Sequence, residues 1–368
     1  MNARFCISLS PENGAHAYEI TPQHQAIIAH PMVAAIVVFA YNIKDKEQFK
    51  RWVEDVQKTA IAAGKAKGIP LLIDHEGGWI QRFSRGGFPT HPSLEWVGDM
   101  YRRLKQLNPT IAGEYLVHAG NMTATFLHKW GLIPLGPVAD SNQGSPIISK
   151  LKRAIAHEPN DIIERLGLYL DGYLTQKVPV CLKHFPGHGA VTQDSHLSQP
   201  TVVKKLSELE QRDLKVFKTL IHEKSIHAMM PAHILYPSID PDHIVTFSAK
   251  WHDYIRNQLR FDGVLISDCL CMKGSGEDSL ADKIKQGLNY MDALIICHQR
   301  AEQILPLLDT LLNDLAPNQI ALQRLGMWFD QPSYVEKRQH QAQSSNLEFQ
   351  PAQIDHKKNQ YFQHNLNI

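Results

Sequence analysis

The stretch Cys181-Leu-Lys-His-Phe-Pro-Gly-His-Gly-Ala-Val-Thr-Gln-Asp-Ser-His196 starts as a strand and ends as a loop. Pro179 leads into Val180, Cys181 and Leu182, an apolar run suited to a buried strand. Pro186, Gly187 and Gly189 then stop it, because proline lacks a backbone donor and glycine favours turns. Lys183, His184, His188, Asp194 and His196 fall at or beyond that break. Polar side chains on a loop anchored by a buried strand are the usual construction of an α/β enzyme site.

Working outward, the same grammar repeats. Apolar β-rich runs at 34–40, 71–74, 131–138, 178–183, 227–233, 263–268 and 293–297 alternate with helical patterns, and Phe5–Ser8 offers a further N-terminal strand. Lys46–Ala63 has helical periodicity, with Phe49, Trp52, Val53 and Val56 on one side. Further helices are expected at 110–127, 161–174, 206–222, 251–259, 281–288, 301–315 and 319–329. Strands without a polar face, each followed by a helix, indicate parallel βα units. The expected fold is therefore α/β, a single-domain (β/α)8 TIM-type barrel over residues 1–330. A doubly wound open sheet is the alternative, but no Gly-x-Gly-x-x-Gly follows any strand. Residues 331–368 are rich in Gln, Asn, His and Lys, and read as a polar C-terminal tail, mobile or draped over the surface.

Composition narrows the function. The chain has 368 residues, 38 Lys plus Arg against 37 Asp plus Glu, and a net charge of +1. That balance gives no electrostatic case for nucleic acid. No apolar run is long enough to insert in a membrane, and Met1–Gly14 has no apolar core of a secretory signal. Cys6, Cys181, Cys269, Cys271 and Cys297 make an odd number with no zinc-site spacing. A reducing cytoplasm and no structural metal are the expectations.

Charged residues recur where strands end: Asp74 with Arg82 close behind it, Asp140, Lys183 with His184, His233, and Asp268. In a parallel barrel these converge on one rim. Each has a plainer reading. An Asp after a strand is often the cap of the next helix, and for Asp268 alone the two readings are even. Asp194-Ser195-His196 taken alone reads as an Asx turn. His188, between glycines, reads as a residue that holds its loop by hydrogen bonds to backbone. Lys183 is harder to explain structurally, since a lysine ending an apolar strand needs a partner or water.

Together these residues resemble a known family. Lys183-His184-Phe185-Pro186-Gly187-His188-Gly189 followed by Asp194-Ser195-His196 is similar to the signature of family 3 glycoside hydrolases, specifically the bacterial β-N-acetylglucosaminidases of peptidoglycan recycling. The resemblance extends through Ile28-Ala-His-Pro31, Val38-Phe-Ala-Tyr-Asn42, Ile73-Asp-His-Glu-Gly-Gly78 with Gln81-Arg82-Phe83, Ala232-His233, and Phe261-Asp-Gly-Val264 into Ile266-Ser-Asp268. It implies Asp268 as nucleophile, His196 as general acid/base and Asp194 as its partner. It implies Asp74, Arg82, Arg153, Lys183 and His184 as sugar-binding residues, with Arg153 the loosest match. Chemically, a retaining glycosidase needs a nucleophile on one face of the anomeric carbon and a proton donor on the other. An imidazole serves as donor near neutral pH when a carboxylate orients it. Lys183 or a neighbouring histidine would keep Asp268 ionised.

The resemblance implies a cytoplasmic, exo-acting enzyme that releases N-acetylglucosamine from a small oligosaccharide or muropeptide through a covalent glycosyl-enzyme, with no cofactor. Another family 3 β-glycosidase with an altered pocket, or a degenerate sugar-binding barrel, are the alternatives. Four positions depart from the family pattern: Tyr41, Trp79, Cys269 and Tyr290. Trp79 reads as a sugar-stacking platform in preference to a core anchor, and Cys269 as a small packing residue.

Overall fold

Eight short strands form one sheet, and each lies in or beside an apolar run of the sequence. The computed structural model describes residues 3–193 and 199–343. The strands are β1 (Phe5–Ser8), β2 (Val33–Val38), β3 (Leu71–Ile73), β4 (Leu132–Pro134), β5 (Cys181–Phe185), β6 (Ala228–Pro231), β7 (Val264–Cys269) and β8 (Ala293–Ile296). They hydrogen-bond in the order β4-β3-β2-β1-β8-β7-β6-β5, and every strand pair is parallel. The segment after β4 joins the two ends: Cys181 donates to the Gly136 carbonyl at 2.9 Å, and Ala139 donates to the Lys183 carbonyl at 2.7 Å. The result is a (β/α)8 barrel, as the alternation of runs requires. No helix of the described residues is long and apolar enough to cross a membrane.

The period-two alternation of each strand divides the core in two. Phe5, Ile7, Ile36, Val38, Leu71 and Ile73 pack with the helices in one cluster. Cys6, Ala35, Val37, Leu72, Ile133, Cys181, Met230 and Ile266 form a second, within the barrel. Cys6, Cys181 and Cys297 are buried free thiols. Small residues such as Cys and Ala let facing strands fill a narrow interior without clashes.

Three local details differ from the sequence reading. The helix expected over 206–222 is two helices, Leu206–Gln211 and Asp213–Glu223, divided at Arg212, whose φ of −123° and ψ of −88° are not helical. The helix expected over 251–259 is Ala249–Asp253 followed by a wider turn, Tyr254–Gln258. The helix Leu94–Leu107, with Ser93 capping it through the Trp96 N–H, was not anticipated.

The segment 331–368, expected to be a polar tail, mobile or draped over the surface, begins as a helix, Pro332–Gln343, docked on the barrel, while 344–368 lie outside the described residues. Tyr334 is fully buried among the interior residues and donates its hydroxyl to the Leu132 carbonyl at 3.1 Å. Arg338 is buried too, donating to the carbonyls of Lys67 (2.8 Å) and Phe329 (3.0 Å) and to Asp330 (3.1 Å). With Leu325, Trp328 and Phe329 these residues plug the end of the barrel where the strands start. Few apolar residues were visible in this segment because one tyrosine and one arginine stem carry the packing.

Candidate active site

The loop after β3 supplies the first half of the site. Asp74 follows Ile73 directly, and Glu76 begins a tight turn in which its N–H donates to the Ile80 carbonyl at 2.8 Å. Gly77 and Gly78 have φ of +85° and +56°. A side chain at Gly77 would meet the Pro92 carbonyl oxygen at 2.1 Å, so only glycine lets this turn lie on the 91–93 segment. Trp79 sits at the tip and is 73% exposed, which excludes the core-anchor reading.

The other half comes from β5 and the loop after β4. Lys183 is almost wholly buried and reaches across the barrel to Asp74 Oδ1 at 2.7 Å and Glu76 Oε1 at 2.7 Å. Arg153 grips the same Glu76 with Nε (2.7 Å) and Nη2 (2.9 Å), and Nη1 donates to the Ile147 carbonyl at 3.1 Å. Arg82 donates to the other oxygen of Asp74 at 3.2 Å and lies 4.9 Å over the Phe39 ring. The five side chains thus form a continuous chain of alternating charge, Arg82–Asp74–Lys183–Glu76–Arg153. Its cations and carboxylates each neutralise a neighbour that burial alone would discharge.

His184 is tied to this chain from the opposite side. Its Nδ1 lies 2.7 Å from Asp140 Oδ2, and its Nε2 lies 3.4 Å from Arg153 Nη2. A guanidinium can only donate, so Nε2 accepts and Nδ1–H points at Asp140. The other oxygen of Asp140 accepts the backbone N–H groups of His184 (3.2 Å) and His188 (2.7 Å). One buried carboxylate therefore fixes the end of β5 and the start of the loop beyond it. That loop is also held by Tyr236, which donates to the Gly187 carbonyl at 2.9 Å. His188 holds the loop as expected in kind, but through its backbone and Asp140. The peptide bonds Gly136–Pro137, Lys183–His184 and Phe185–Pro186 are cis.

Asp268 stands near the end of β7, half-buried, and its Oδ1 accepts the Cys269 N–H at 2.7 Å. Burial favours its neutral form, but His233 and His184 nearby and the Cys269 N–H outweigh that and hold its pKa below the usual carboxylate range. The neighbouring histidines, rather than Lys183, do this. His233 is fixed between Thr246 Oγ1 (2.8 Å) and the Cys269 carbonyl (3.2 Å). The Cys269 thiol accepts the Cys297 N–H at 3.3 Å, a packing role between β7 and β8.

The same balance governs the rest. Burial would raise the pKa of Asp74, yet Lys183 and Arg82 bring it below normal; for Asp140, His184 and His188 do the same. Burial would lower Lys183, but Asp74 and Glu76 raise it above the usual ammonium range. Glu76 is likewise depressed against its burial by Arg153 and Lys183. The site is thus a set of fixed charges at neutral pH, able to bind hydroxyl groups and present one ionised carboxylate to an electrophilic carbon. Among the described residues no group of three or more His, Cys, Asp or Glu side chains is arranged to hold a metal ion.

Of the residues singled out from sequence, Asp74, Arg82, Arg153, Lys183 and His184 come together in one connected array, and Asp268 is close enough to His184 and Asp74 for their charges to act on its ionisation. Asp194 and His196 lie outside the described residues. One carboxylate central to the array, Glu76, goes unnoticed in the sequence, and Asp140, noted there only as a charge at a strand end, proves to be the partner of His184. Charge counting finds Glu76, since Lys183 and Arg153 in apolar surroundings each require a buried anion.

Comparison with known proteins places the chain in a family. Residues 11–324 match the family model for the glycosyl hydrolase family 3 N-terminal domain. A β-hexosaminidase of Tolumonas auensis is 30% identical over 80% of this chain and 84% of its own. NagZ of Neisseria gonorrhoeae, solved in complex with N-trifluoroacetyl-D-glucosamine, superposes with a TM-score of 0.76 at 26% identity, covering 94% of each chain. A family 3 β-N-acetylglucosaminidase of a Paenibacillus species gives a TM-score of 0.81 at 21% identity over 99% of this chain and 66% of that longer one, which establishes likeness of fold.

Proposed function

Since the chain belongs to glycosyl hydrolase family 3 and is a glycoside hydrolase, we propose that it is a retaining, exo-acting β-N-acetylglucosaminidase that releases N-acetylglucosamine from cell-wall fragments. Names of relatives support the sugar: a β-hexosaminidase in Tolumonas auensis, and a NagZ that binds an N-acylated glucosamine analogue. The observation that carries the reading is Asp268, held ionised at the end of β7 beside the charged array of Asp74, Lys183 and His184.

The roles follow from that placement. Asp74, Arg82, Arg153, Lys183 and His184 bind the hydroxyl groups of the terminal sugar. Of the three N–H groups of Lys183, two are spent on Asp74 and Glu76, which among the described residues leaves one for the ligand. Asp268 attacks the anomeric carbon, forming the C–O bond of a glycosyl-enzyme as the bond to the leaving oxygen breaks. His196 protonates that oxygen, and then takes a proton from the water that hydrolyses the intermediate. Asp194 orients the imidazole and favours its charged form. Trp79, exposed at the rim, offers a flat face to the sugar or to what it is attached to. A muropeptide from cell-wall turnover in the cytoplasm is the substrate class suggested by the family resemblance.

The test is hydrolysis of nitrophenyl β-glycosides of N-acetylglucosamine, glucose and xylose. Release from the first alone is expected, and a fluorinated-sugar inactivator should label Asp268. Release of glucose without N-acetylglucosamine would transfer the protein to another β-glycosidase activity. Sugar binding without release from any substrate would make it a binding protein.

A further inference from the structure

We propose that Glu76 is a positioning residue of the site: without touching substrate, it sets the spacing of the two sugar-binding cations Lys183 and Arg153 and, through Arg153, the orientation of His184. The proposal rests on the glycosidase reading for what those cations bind.

Glu76 differs from Asp74, two residues earlier, in what it faces. The Asp74 side chain is 26% exposed, whereas that of Glu76 is 3% exposed. Both oxygens of Glu76 are engaged within the protein. Oε2 takes Arg153 Nε at 2.7 Å, and Oε1 takes both Arg153 Nη2 at 2.9 Å and Lys183 Nζ at 2.7 Å. A planar guanidinium gripped by two parallel bonds has one orientation. That orientation directs the remaining Nη2 hydrogen to His184 Nε2, 3.4 Å away. Because Nη1 is spent in part on the Ile147 carbonyl, one N–H of Arg153 is left for a ligand among the described residues, as one is left on Lys183.

Charge makes the arrangement more than a spacer. Lys183 is faced by Asp74 and Glu76 from the loop after β3, by Arg153 from the loop after β4, and by the Cys181 thiol on its own strand. Replacing Glu76 by a neutral group leaves Lys183 with Asp74 alone against its burial and the positive Arg153. The ammonium then loses its proton at a lower pH. The sign is fixed: cation-dependent sugar binding should fail from the alkaline side, and earlier than in the native protein.

The variants are Glu76→Gln, which keeps the shape and removes the charge, and Glu76→Asp, which keeps the charge on a shorter arm. With nitrophenyl N-acetylglucosaminide, Glu76→Gln should raise KM at least tenfold with a smaller fall in kcat. The alkaline limb of kcat/KM should move down by a pH unit or more. Glu76→Asp should restore most of the limb and less of the KM. A second readout needs no substrate: acetylation of Lys183 by an amine-reactive reagent at pH 8, followed by peptide mass spectrometry. It should be at least tenfold faster in Glu76→Gln, and intermediate in Glu76→Asp, which also serves if the Gln variant does not fold. If the native protein releases no sugar yet Lys183 labelling changes as stated, the glycosidase reading fails and the role of Glu76 stands. A folded variant with native KM, pH profile and labelling rate would overturn the proposal.

Discussion

Asp140→Asn should disable the site while barely changing its shape. Asp140 is almost wholly buried and accepts three hydrogen bonds: from His184 Nδ1 (2.7 Å), the His184 N–H (3.2 Å) and the His188 N–H (2.7 Å). In the Asn variant one oxygen can still accept the two backbone groups. The amide nitrogen that takes the place of Oδ2 is a donor and now faces the Nδ1–H of His184, also a donor. The imidazole must shift its proton to Nε2, which then opposes Arg153 Nη2 with a second donor pair, or rotate out of the site. Converting charge-assisted bonds to neutral ones and mispairing the ring costs about 2–4 kcal/mol. For a chain of this size that lowers Tm by about 3–5 °C. A sugar contact from His184 that strengthens in the transition state is worth about 1.5–3 kcal/mol, so kcat/KM should fall about 10- to 100-fold. Thermal melts and steady-state hydrolysis of nitrophenyl N-acetylglucosaminide measure both, and imidazole nitrogen NMR reads the tautomer. A lowered Tm with kcat/KM within twofold of native would refute the coupling of Asp140 to His184.

Further outcomes follow from other parts of the molecule. His75, His91 and His188 are buried and held to pKa values of about 3, 4 and 4, chiefly because burial disfavours the charged ring. The unfolded chain binds those protons near pH 6.5, so stability is full above that and falls as pH drops towards about 4, by on the order of 1 kcal/mol per pH unit per residue. Denaturant unfolding at pH 7, 6 and 5 should show the decline, and a flat profile would contradict it. Arg338→Ala removes three hydrogen bonds of a buried side chain under the barrel and should cost about 3–5 kcal/mol. Ending the chain at Asp330 should destabilise it still more, because Tyr334 goes as well; an unchanged Tm in either variant would mean that this helix is not part of the stable fold.

Much of the fold was written locally. Parallel strands buried on both faces read as unbroken apolar runs, so each of the eight strands, from Phe5–Ser8 to Ala293–Ile296, falls in or beside a run that the sequence shows. The polar residues that end those runs had to share one rim, because parallel strands all point the same way. This is why Asp74, Lys183, His184 and Asp268 could be named before any geometry existed. Boundaries were less legible where local signals were balanced: nothing in Leu206–Glu223 marks the break at Arg212.

What the chain alone determined is the alternation of buried strands with helices and the chemistry set at the strand ends, since both depend on residues within a few positions of each other. What only the tertiary structure decided is which charge meets which. Lys183 and Asp74 are 109 residues apart, Arg153 and Glu76 are 77 apart, and Tyr334 lies 202 residues from the carbonyl it donates to. A buried charge is tolerated only beside its partner, and the closure of the barrel is what brings those partners together. Glu76 looks like an ordinary loop residue until that closure sets it between Lys183 and Arg153, and Asp140, visible as a charge at a strand end, gains its role only when the closure brings His184 onto it.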